Sequence, residues 1–311
     1  MLVADDLTGA CDAGVAFAPA VVVLRESAKV TADDALIYST HSRGEDETIA
    51  AARVAALMLD LPPAALIYKK IDSMLRGNVR AELEAMLASS SSSGRRRALV
   101  CPAFPEQGRT VVNGIAEPAG IDLVALLQGL PVEIPGAASQ EDLHRIAASA
   151  HPARDLLVGS AGLARALGRI PARVPTPSEP GPGAPLFCVG SVHPVTLSQL
   201  DHVTPAEAEC WRIEMASPDP VQLAKLRHRV EKLSAGGLLL SGGDTALLVC
   251  RLLGAEGIRL EAEIEPGIPL GRLLGGVGDG LAVVTKSGGF GSPSTLTCVA
   301  RVLSVQNRKS A

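Results

Sequence analysis

Aromatic residues are scarce in this sequence, and their scarcity excludes one broad class of partner. They make up only 2% of the 311 residues, whereas proteins that bind single-stranded nucleic acids stack bases on several rings. The formal net charge of -4 provides no basic field for a polyphosphate backbone. We therefore expect no nucleic-acid partner, and any bound phosphate should be small and held locally.

Closely spaced cysteine pairs and long apolar runs are also missing from the sequence. The six cysteines form no CxxC pair and have no histidine at metal-ligand spacing, so they indicate buried thiols of a reducing compartment. No run reaches the roughly 18 to 20 apolar residues of a membrane span, and the first strand begins without a basic leader. The sequence predicts a cytoplasmic protein with no membrane partner.

Short apolar runs alternate with Ala- and Leu-rich helical stretches, which predicts an α/β fold built of parallel βα units. A proline-rich stretch that cannot sustain a helix or central strand interrupts this pattern. We predict a domain at 1–176, a linker at 177–185 and a domain at 186–311. Each domain should hold a mostly parallel sheet flanked by helices, with the active site in the interdomain cleft. The predicted strands after the first are 21–24, 35–39, 65–68, 98–101, 156–158, 186–189, 238–240 and 281–285.

Charged residues follow two predicted strands of the first half. Asp5 and Asp6 end the first strand, and Lys70, Asp72 and Arg76 follow the strand at 65–68. Because the carboxyl ends of parallel strands share one edge, these groups should converge on a common crevice. Two alternatives stay open: Asp6 could cap the first helix, and Asp72 with Arg76 could form only a helix-surface salt bridge.

The adjacent lysines, one arginine and two histidines can each be assigned from their local sequence. Successive side chains of a strand point to opposite faces, so only one of Lys69 and Lys70 can face the crevice. We assign Lys70 to the site and expect Lys69 to be solvated. Arg43 could add an anion contact or lie in an exposed loop, and His41 and His193 are expected to be ordinary turn residues.

The second half contains three glycine-rich turns after predicted strands, at 190–196, 241–245 and 286–291. Glycine lets backbone N–H groups approach an anion, and a helix N-terminus adds positive potential. Tight βα turns need glycine for steric reasons anyway. Three such turns with Lys286 and Asp244 among them favour a nucleotide site, although neither the P-loop pattern nor GxGxxG is present.

Six motifs, in order from one end of the chain to the other, resemble the four-carbon acid sugar kinases. They are ADDLTGA at 4–10, KIDSMLRG at 70–77, PAFPEQGR at 102–109, VGSAGL at 158–163, SGGDTA at 241–246 and KSGGFG at 286–291. The resemblance implies an acid-sugar-binding N-terminal domain and an ATP-binding C-terminal domain. It also implies phosphorylation of a terminal hydroxyl group on threonate, erythronate or an oxo-tetronate.

The chain differs from typical members of that family in three places. It is shorter after Asn113 and Gly114 and again between Gln199 and 236–237, and Gly136 stands where the family tends to have an acidic residue. A sugar-acid or nucleotide-binding protein without catalysis is therefore the alternative. A host-interaction effector would need an export signal, and the start of the sequence offers none.

The chemistry of phosphoryl transfer assigns roles to these residues. Charge on the phosphate oxygens must be neutralised, usually with Mg²⁺, and the acceptor oxygen must be aligned. The predicted substrate-binding residues are Asp5, Asp6, Arg43, Lys70, Asp72, Ser73, Arg76, Arg109 and Asn113. The predicted ATP-binding residues are Ser191, Gly242, Gly243, Asp244, Thr245, Gly288 and Gly289. Lys286 should pair with phosphate oxygens, and Asp244 should hold Mg²⁺ or activate the sugar hydroxyl. A homodimer is left open.

Overall fold

The computed structural model describes residues 1–62, 64–90, 97–168, 183–232 and 236–304. The chain divides into two compact units: unit 1 comprises Met1–Phe17 and Ala35–Arg169, and unit 2 comprises Ala18–Asp34 and Ile170–Ala311. The segment Ala18–Asp34 thus groups with the second half of the chain, whereas the sequence-based division places it in the first domain. Most of the predicted linker, 177–182, lies outside the described residues.

Strands and helices alternate along most of the described chain. The strands are β1 Leu2–Ala4, β2 Ala20–Val23, β3 Ala35–Ser39, β4 Tyr68–Lys70, β5 Arg97–Cys101, β6 Thr110–Val112, β7 Ile115–Glu117, β8 Ile121–Asp122, β9 Val132–Glu133, β10 Asp155–Gly159, β11 Leu186–Val189, β12 Glu209–Arg212, β13 Leu238–Ser241, β14 Gly257–Glu265, β15 Ile268–Leu274 and β16 Ala282–Lys286. The helices are α1 Leu7–Gly14, α2 Glu47–Asp60, α3 Val79–Ser90, α4 Leu123–Leu126, α5 Gln140–Ser149, α6 Ala161–Leu167, α7 Pro194–Leu200, α8 Pro220–Glu231, α9 Gly243–Leu253 and α10 Thr295–Ser304.

Unit 1 contains a parallel sheet in the order β3-β1-β4-β10-β5-β9. Its central strands are apolar and buried on both faces, as expected for strands covered by helices on each side. The register pairs Ala4 with Ser39 and Lys70, and Lys70 with Gly159. The carboxyl ends of four strands therefore lie level at one edge.

A small antiparallel sheet of β6, β7 and β8 accompanies the parallel sheet of unit 1. Asn113 and Gly114 form the turn between β6 and β7, with φ of 50° and 80°. Two consecutive positive φ angles match the right-handed twist of a hairpin, which explains the Asn-Gly pair.

Unit 2 contains a mixed sheet in the order β12-β11-β13-β16-β15-β14-β2. The first four strands are parallel, whereas β15 is antiparallel to β16 and to β14, and β2 is antiparallel to β14. Val189, Ser241 and Lys286 are in register at the carboxyl ends of β11, β13 and β16. The predicted fold class, an α/β protein with mostly parallel sheets flanked by helices, is confirmed.

The described helices are too short or too polar for a bilayer, and none of them qualifies as a membrane span.

Candidate active site

The acidic pair after β1 is bound by an arginine from the loop after β3. Asp5 is 3% exposed, and its two carboxylate oxygens accept hydrogen bonds from Arg43 Nε at 2.8 Å and Nη2 at 2.7 Å. The same Nη2 lies 2.9 Å from Asp6 Oδ1 and 3.8 Å from Asp72 Oδ1. Four side chains from three loops of unit 1 therefore meet at the carboxyl edge of its sheet.

These contacts set the protonation state of Asp5. Burial alone would raise the pKa of its carboxyl group, but the charge and hydrogen bonds of Arg43, with the charges of Lys69 and Lys70, outweigh burial and lower that pKa. Asp5 is therefore an ionised acceptor at neutral pH.

Asp6 also caps α1. Its Oδ1 accepts a hydrogen bond from the Gly9 backbone at 2.9 Å, and its Oδ2 accepts one from Thr8 Oγ1 at 2.7 Å. A Cβ atom on Gly9 would lie 2.4 Å from Asp6 Oδ1 and 3.1 Å from Lys70 Nζ. Glycine at this position allows the carboxylate and the ammonium group to approach the helix.

Asp72 and Arg76 form a two-bond ion pair in a turn outside any helix. Arg76 Nε and Nη2 donate to the two oxygens of Asp72, both at 2.8 Å. Burial would raise the pKa of Asp72, but the Arg76 hydrogen bond and the charges of Arg43 and Lys70 lower it. The Asp72 side chain is 8% exposed, whereas that of Arg76 is 62% exposed, so the guanidinium remains accessible to a ligand.

Lys70 and Arg109 are the further cations of this edge. Lys70 is buried at the end of β4, and its Nζ donates one hydrogen bond within the described chain, to the Ile71 carbonyl oxygen at 2.9 Å. Its ammonium group retains donors for a bound anion. Arg109 is half-buried and donates to Ser73 Oγ, and burial lowers its pKa.

The expectation that Lys69 is solvated is wrong. Lys69 is fully buried, and its Nζ lies 2.5 Å from Glu82 Oε2 on α3. The other carboxylate oxygen of Glu82 accepts from Ser42 Oγ at 2.5 Å, and Asn78 Nδ2 binds the Ser42 carbonyl oxygen at 3.2 Å. This ion pair supports the loop that carries Arg43.

Glu82 is therefore a residue that sequence reasoning missed, although a signal was available. It follows Val79 by three residues and precedes Met86 by four, so it falls on the apolar face of α3. A charged residue in the middle of such a face indicates a buried partner.

Among the described residues, no hydrogen bond or ion pair joins Asn113 to this charged cluster. It is exposed in the β6–β7 turn, where its positive φ explains its identity. The predicted role in substrate binding stays a prediction.

The three glycine turns of unit 2 are joined by backbone hydrogen bonds. The N–H groups of Gly190 and Ser191 donate to the Ser241 carbonyl oxygen, and Gly242 donates to that of Lys286. Gly242 has a φ of 107° and provides no side-chain cap for α9. The first turn of α9, with Thr245 buried, therefore keeps backbone donors for a ligand.

The last of these turns is packed closely against the loop before α7. A Cβ atom on Gly288 would lie 2.3 Å from Ser191 Oγ, and one on Gly289 would lie 3.2 Å from His193 Nε2. His193 itself caps α7, accepting from the Val195 N–H at 3.2 Å, which agrees with its assignment as a turn residue.

Lys286 has partners within the protein. It is fully buried, and its Nζ donates to Thr196 Oγ1 at 2.9 Å and to the carbonyl oxygens of Ser287 and Gly288, both at 3.1 Å. Burial lowers its pKa to about 8. A phosphate contact, as predicted, would need one of these hydrogen bonds to be exchanged.

Asp244 lies exposed in the first turn of α9. Within the described ranges, no group of three His, Cys, Asp or Glu side chains could hold a metal ion. Mg²⁺ in phosphate sites commonly takes one or two carboxylates, phosphate oxygens and waters, so a single accessible carboxylate fits such an ion.

Similarity to known proteins identifies the family. A model described as a sugar-binding N-terminal domain matches residues 1–120, and one described as a nucleotide-binding C-terminal domain matches residues 220–296. A D-threonate kinase of Salmonella typhimurium is 30% identical, with 95% of this chain and 96% of the relative covered. The chain belongs to the four-carbon acid sugar kinase family. Other relatives in this family include a D-threonate kinase of Bordetella bronchiseptica, 29% identical over 97% of this chain and 96% of the relative, and a D-erythronate kinase of Heliobacterium modesticaldum, 26% identical over 96% of each.

Solved structures show the same fold. A Salmonella typhimurium protein described as a putative tRNA synthase superposes with a TM-score of 0.70 at 18% identity, covering 96% of this chain and 98% of that one. A Haemophilus influenzae DUF1537 protein gives 0.63 at 17% identity, covering 98% and 99%. The alignment with the Salmonella kinase runs over 414 positions, so that family member has residues without a counterpart among the 311 of this chain.

Proposed function

We propose that this protein transfers the γ-phosphoryl group of ATP to a hydroxyl group of a four-carbon sugar acid such as threonate, erythronate or an oxo-tetronate. The observation that carries the proposal is the edge of unit 1, where four cations and three carboxylates converge in a chain related to kinases of such acids. A sugar acid presents one carboxylate and several hydroxyl groups, which is the complement of that set.

The cations of unit 1 suit the carboxylate of the substrate. Arg76 has an accessible planar guanidinium, Lys70 has unused donors, and Arg109 lies beside Ser73. The carboxylates of Asp5, Asp6 and Asp72 would accept hydrogen bonds from substrate hydroxyl groups. Arg43 is engaged by Asp5 and Asp6, so its main task is to hold those acceptors in place.

The backbone of unit 2 suits the nucleotide. The amide groups of Gly243, Gly288 and Gly289 would bind phosphate oxygens, with hydroxyl groups from Ser191 and Thr245 nearby in the connected turns. The Gly242 amide donates to the Lys286 carbonyl oxygen, so Gly242 would contribute by shaping the turn.

Asp244 would hold Mg²⁺ in this site. A bare carboxylate in the first turn of α9 would repel phosphate, whereas a cation between the two removes that repulsion. Mg²⁺ supplies charge neutralisation on the phosphate oxygens when bound. The alternative role, activating the sugar hydroxyl, would place Asp244 in contact with the acceptor.

The test is an ADP-release assay with Mg-ATP and a panel of four-carbon sugar acids of both stereochemical series. We expect ADP above background with at least one acid, and Asp244→Ala should lower kcat by at least about a hundredfold. Asp201→Ala, an exposed aspartate at the end of α7, is the matched control and should keep the rate. Wild-type protein inactive with the whole panel, or an active Asp244→Ala variant, would overturn the proposal.

A second candidate is a sugar-acid or nucleotide-binding protein without catalysis. The observation that favours it is the shortness of this chain relative to its aligned relatives. Such a protein would bind acid and nucleotide by calorimetry but release no ADP.

A further inference from the structure

The ammonium group of Lys286 is saturated by the protein itself. A lysine has three N–H donors, and the three acceptors within reach are Thr196 Oγ1 and the carbonyl oxygens of Ser287 and Gly288, at 2.9 to 3.1 Å. A lysine that serves as a phosphate ligand keeps at least one donor for the phosphate. The geometry of Lys286 is that of a residue that organises a loop.

The carbonyl contacts determine where the next amide groups point. A trans peptide unit is planar, with the C=O of one residue antiparallel to the N–H of the next. Because Lys286 holds the carbonyl groups of Ser287 and Gly288, the N–H groups of Gly288 and Gly289 point away from it. Neither N–H donates a hydrogen bond to another residue of the described chain. Two successive free N–H groups form an anion-binding concavity.

Thr196 connects the loop held by Lys286 to helix α7. Its hydroxyl accepts from Lys286 and donates to the Gly288 carbonyl oxygen at 2.6 Å. Gln199, one turn further along α7, donates to the carbonyl oxygens of Phe290 and Ser292 at 3.1 and 2.8 Å. Helix α7 and Lys286 therefore hold the inward side of the whole loop.

We propose that Lys286 is a positioning residue: with Thr196 it keeps the Ser287 and Gly288 carbonyl groups turned inward, so that the N–H groups of Gly288 and Gly289 face a bound phosphate. The inference rests on the proposed nucleotide site in unit 2 and changes the role of Lys286 within it. A direct phosphate ligand would not need Thr196, whereas a positioning residue acts through it.

The experiment measures the Kd of a non-hydrolysable ATP analogue by calorimetry for Lys286→Met, Thr196→Val, Thr196→Ser and the Lys286→Met/Thr196→Val double variant. Thr196→Val removes both hydrogen bonds of the Thr196 hydroxyl. It should weaken binding by about tenfold, and Thr196→Ser should restore it. The double variant should bind no worse than Lys286→Met alone, because both changes break one unit. Thr285→Val is the matched control, since Thr285 Oγ1 is buried without a partner in the described chain.

Wild-type affinity in Thr196→Val, together with a large loss in Lys286→Met, would make Lys286 a direct ligand and overturn the inference. The variants Thr196→Val and Thr196→Ser test the positioning role even if Lys286→Met fails to fold. Hydrogen exchange of residues 287–292 in the ligand-free protein provides a readout that does not need nucleotide. Unchanged exchange in Thr196→Val also contradicts the inference, whereas failure of the wild type to bind the analogue contradicts the proposed function.

Discussion

The two edges that we propose as ligand-binding sites both lie at the carboxyl ends of parallel strands, but they present different chemical groups. In unit 1 the groups are ionised side chains that neutralise one another, such as Asp5 with Arg43 and Asp72 with Arg76. In unit 2 they are backbone amides of glycine turns above one buried cation, Lys286. A small acid with several hydroxyl groups needs directional acceptors and cations, whereas phosphate oxygens are served by N–H groups. Substitutions that change charge should therefore weaken ligand binding most in unit 1, and substitutions that change backbone geometry should weaken it most in unit 2.

The largest effect that would test this contrast is expected at the buried ion pair of unit 1. Glu82→Gln leaves the Lys69 charge buried without its partner, and it should lower the free energy of unfolding by about 3 to 5 kcal/mol. Urea unfolding of Glu82→Gln and of the exposed Glu84→Gln on the same helix measures the difference.

The Lys69→Met/Glu82→Leu double variant sharpens the same point. Replacing both charges with apolar groups should recover most of the lost stability, while Ser42 loses its acceptor and the Arg43 loop is loosened. Sugar-acid affinity should then remain reduced in a stable protein. Full affinity in the double variant would show that the pair does not act on the loop.

Asp72→Asn should have the next largest effect and a defined pH dependence. Loss of the charged hydrogen bonds to Arg76 should cost about 1 to 3 kcal/mol at neutral pH. Because the folded pKa of Asp72 lies below its ordinary value of 3.8, the stabilisation is present above that pH and is lost as the pH falls toward the folded pKa.

Unfolding of wild type and Asp72→Asn between pH 7 and pH 2 measures this difference, which should shrink only at acid pH. Asp60→Asn, at the exposed end of α2, should change stability by less than about 0.5 kcal/mol. A difference in unfolding free energy that stays constant down to the lowest pH would contradict the lowered pKa of Asp72.

Gly9→Ala tests backbone geometry within the charged edge. In an ordinary helix this change stabilises by roughly 0.5 to 1 kcal/mol, but here the new Cβ would lie 2.4 Å from Asp6 Oδ1. The carboxylate must move, which should cost about 1 kcal/mol of capping and weaken sugar-acid binding. Gly44→Ala, where no atom lies within 4 Å of the new Cβ, is the control, and thermal unfolding with calorimetry compares the two. A more stable Gly9→Ala with full affinity would contradict the prediction.

The last prediction concerns the buried cation of unit 2, Lys286. The folded pKa of Lys286, about 8, lies below the ordinary 10.5. Between these values the unfolded chain binds more protons, so stability should rise with pH because of this group. Urea unfolding from pH 7 to 10.5 should show a steeper rise for wild type than for Lys286→Met, and parallel curves would show that Lys286 is not desolvated.

Much of the fold was predictable because parallel strands are short apolar runs. The strands at 35–39 and 186–189 match β3 and β11. The strand predicted at 65–68 is instead β4, Tyr68–Lys70, because an apolar-run criterion stops at the first charge although the backbone continues in the sheet. Strand β14 was missed, although its alternating apolar and charged residues are a period-2 signal.

The Asn-Gly pair at 113–114 carries a structural signal as well as the predicted substrate contact of Asn113. Such a pair is a strong hairpin signal, and the structure places it in the turn between β6 and β7. The proximity of Asp5, Asp6 and Asp72 was predictable because strand ends share an edge. The contact of Arg43 with Asp5 and Asp6, in place of an exposed loop, was not predictable, because it depends on the path of the loop after β3.

The amino-acid sequence by itself determined the α/β class, the family and the strand ends at which charged residues and glycine turns occur, since these follow from local periodicity and from motif order. The tertiary structure alone decided that Lys69 is buried against Glu82 and that Lys286 is enclosed by Thr196 and two carbonyl groups. The contacts of Lys69 with Glu82 and of Lys286 with Thr196 join residues from different elements, and the packing of α3 and α7 in their units sets which donors remain available to a ligand.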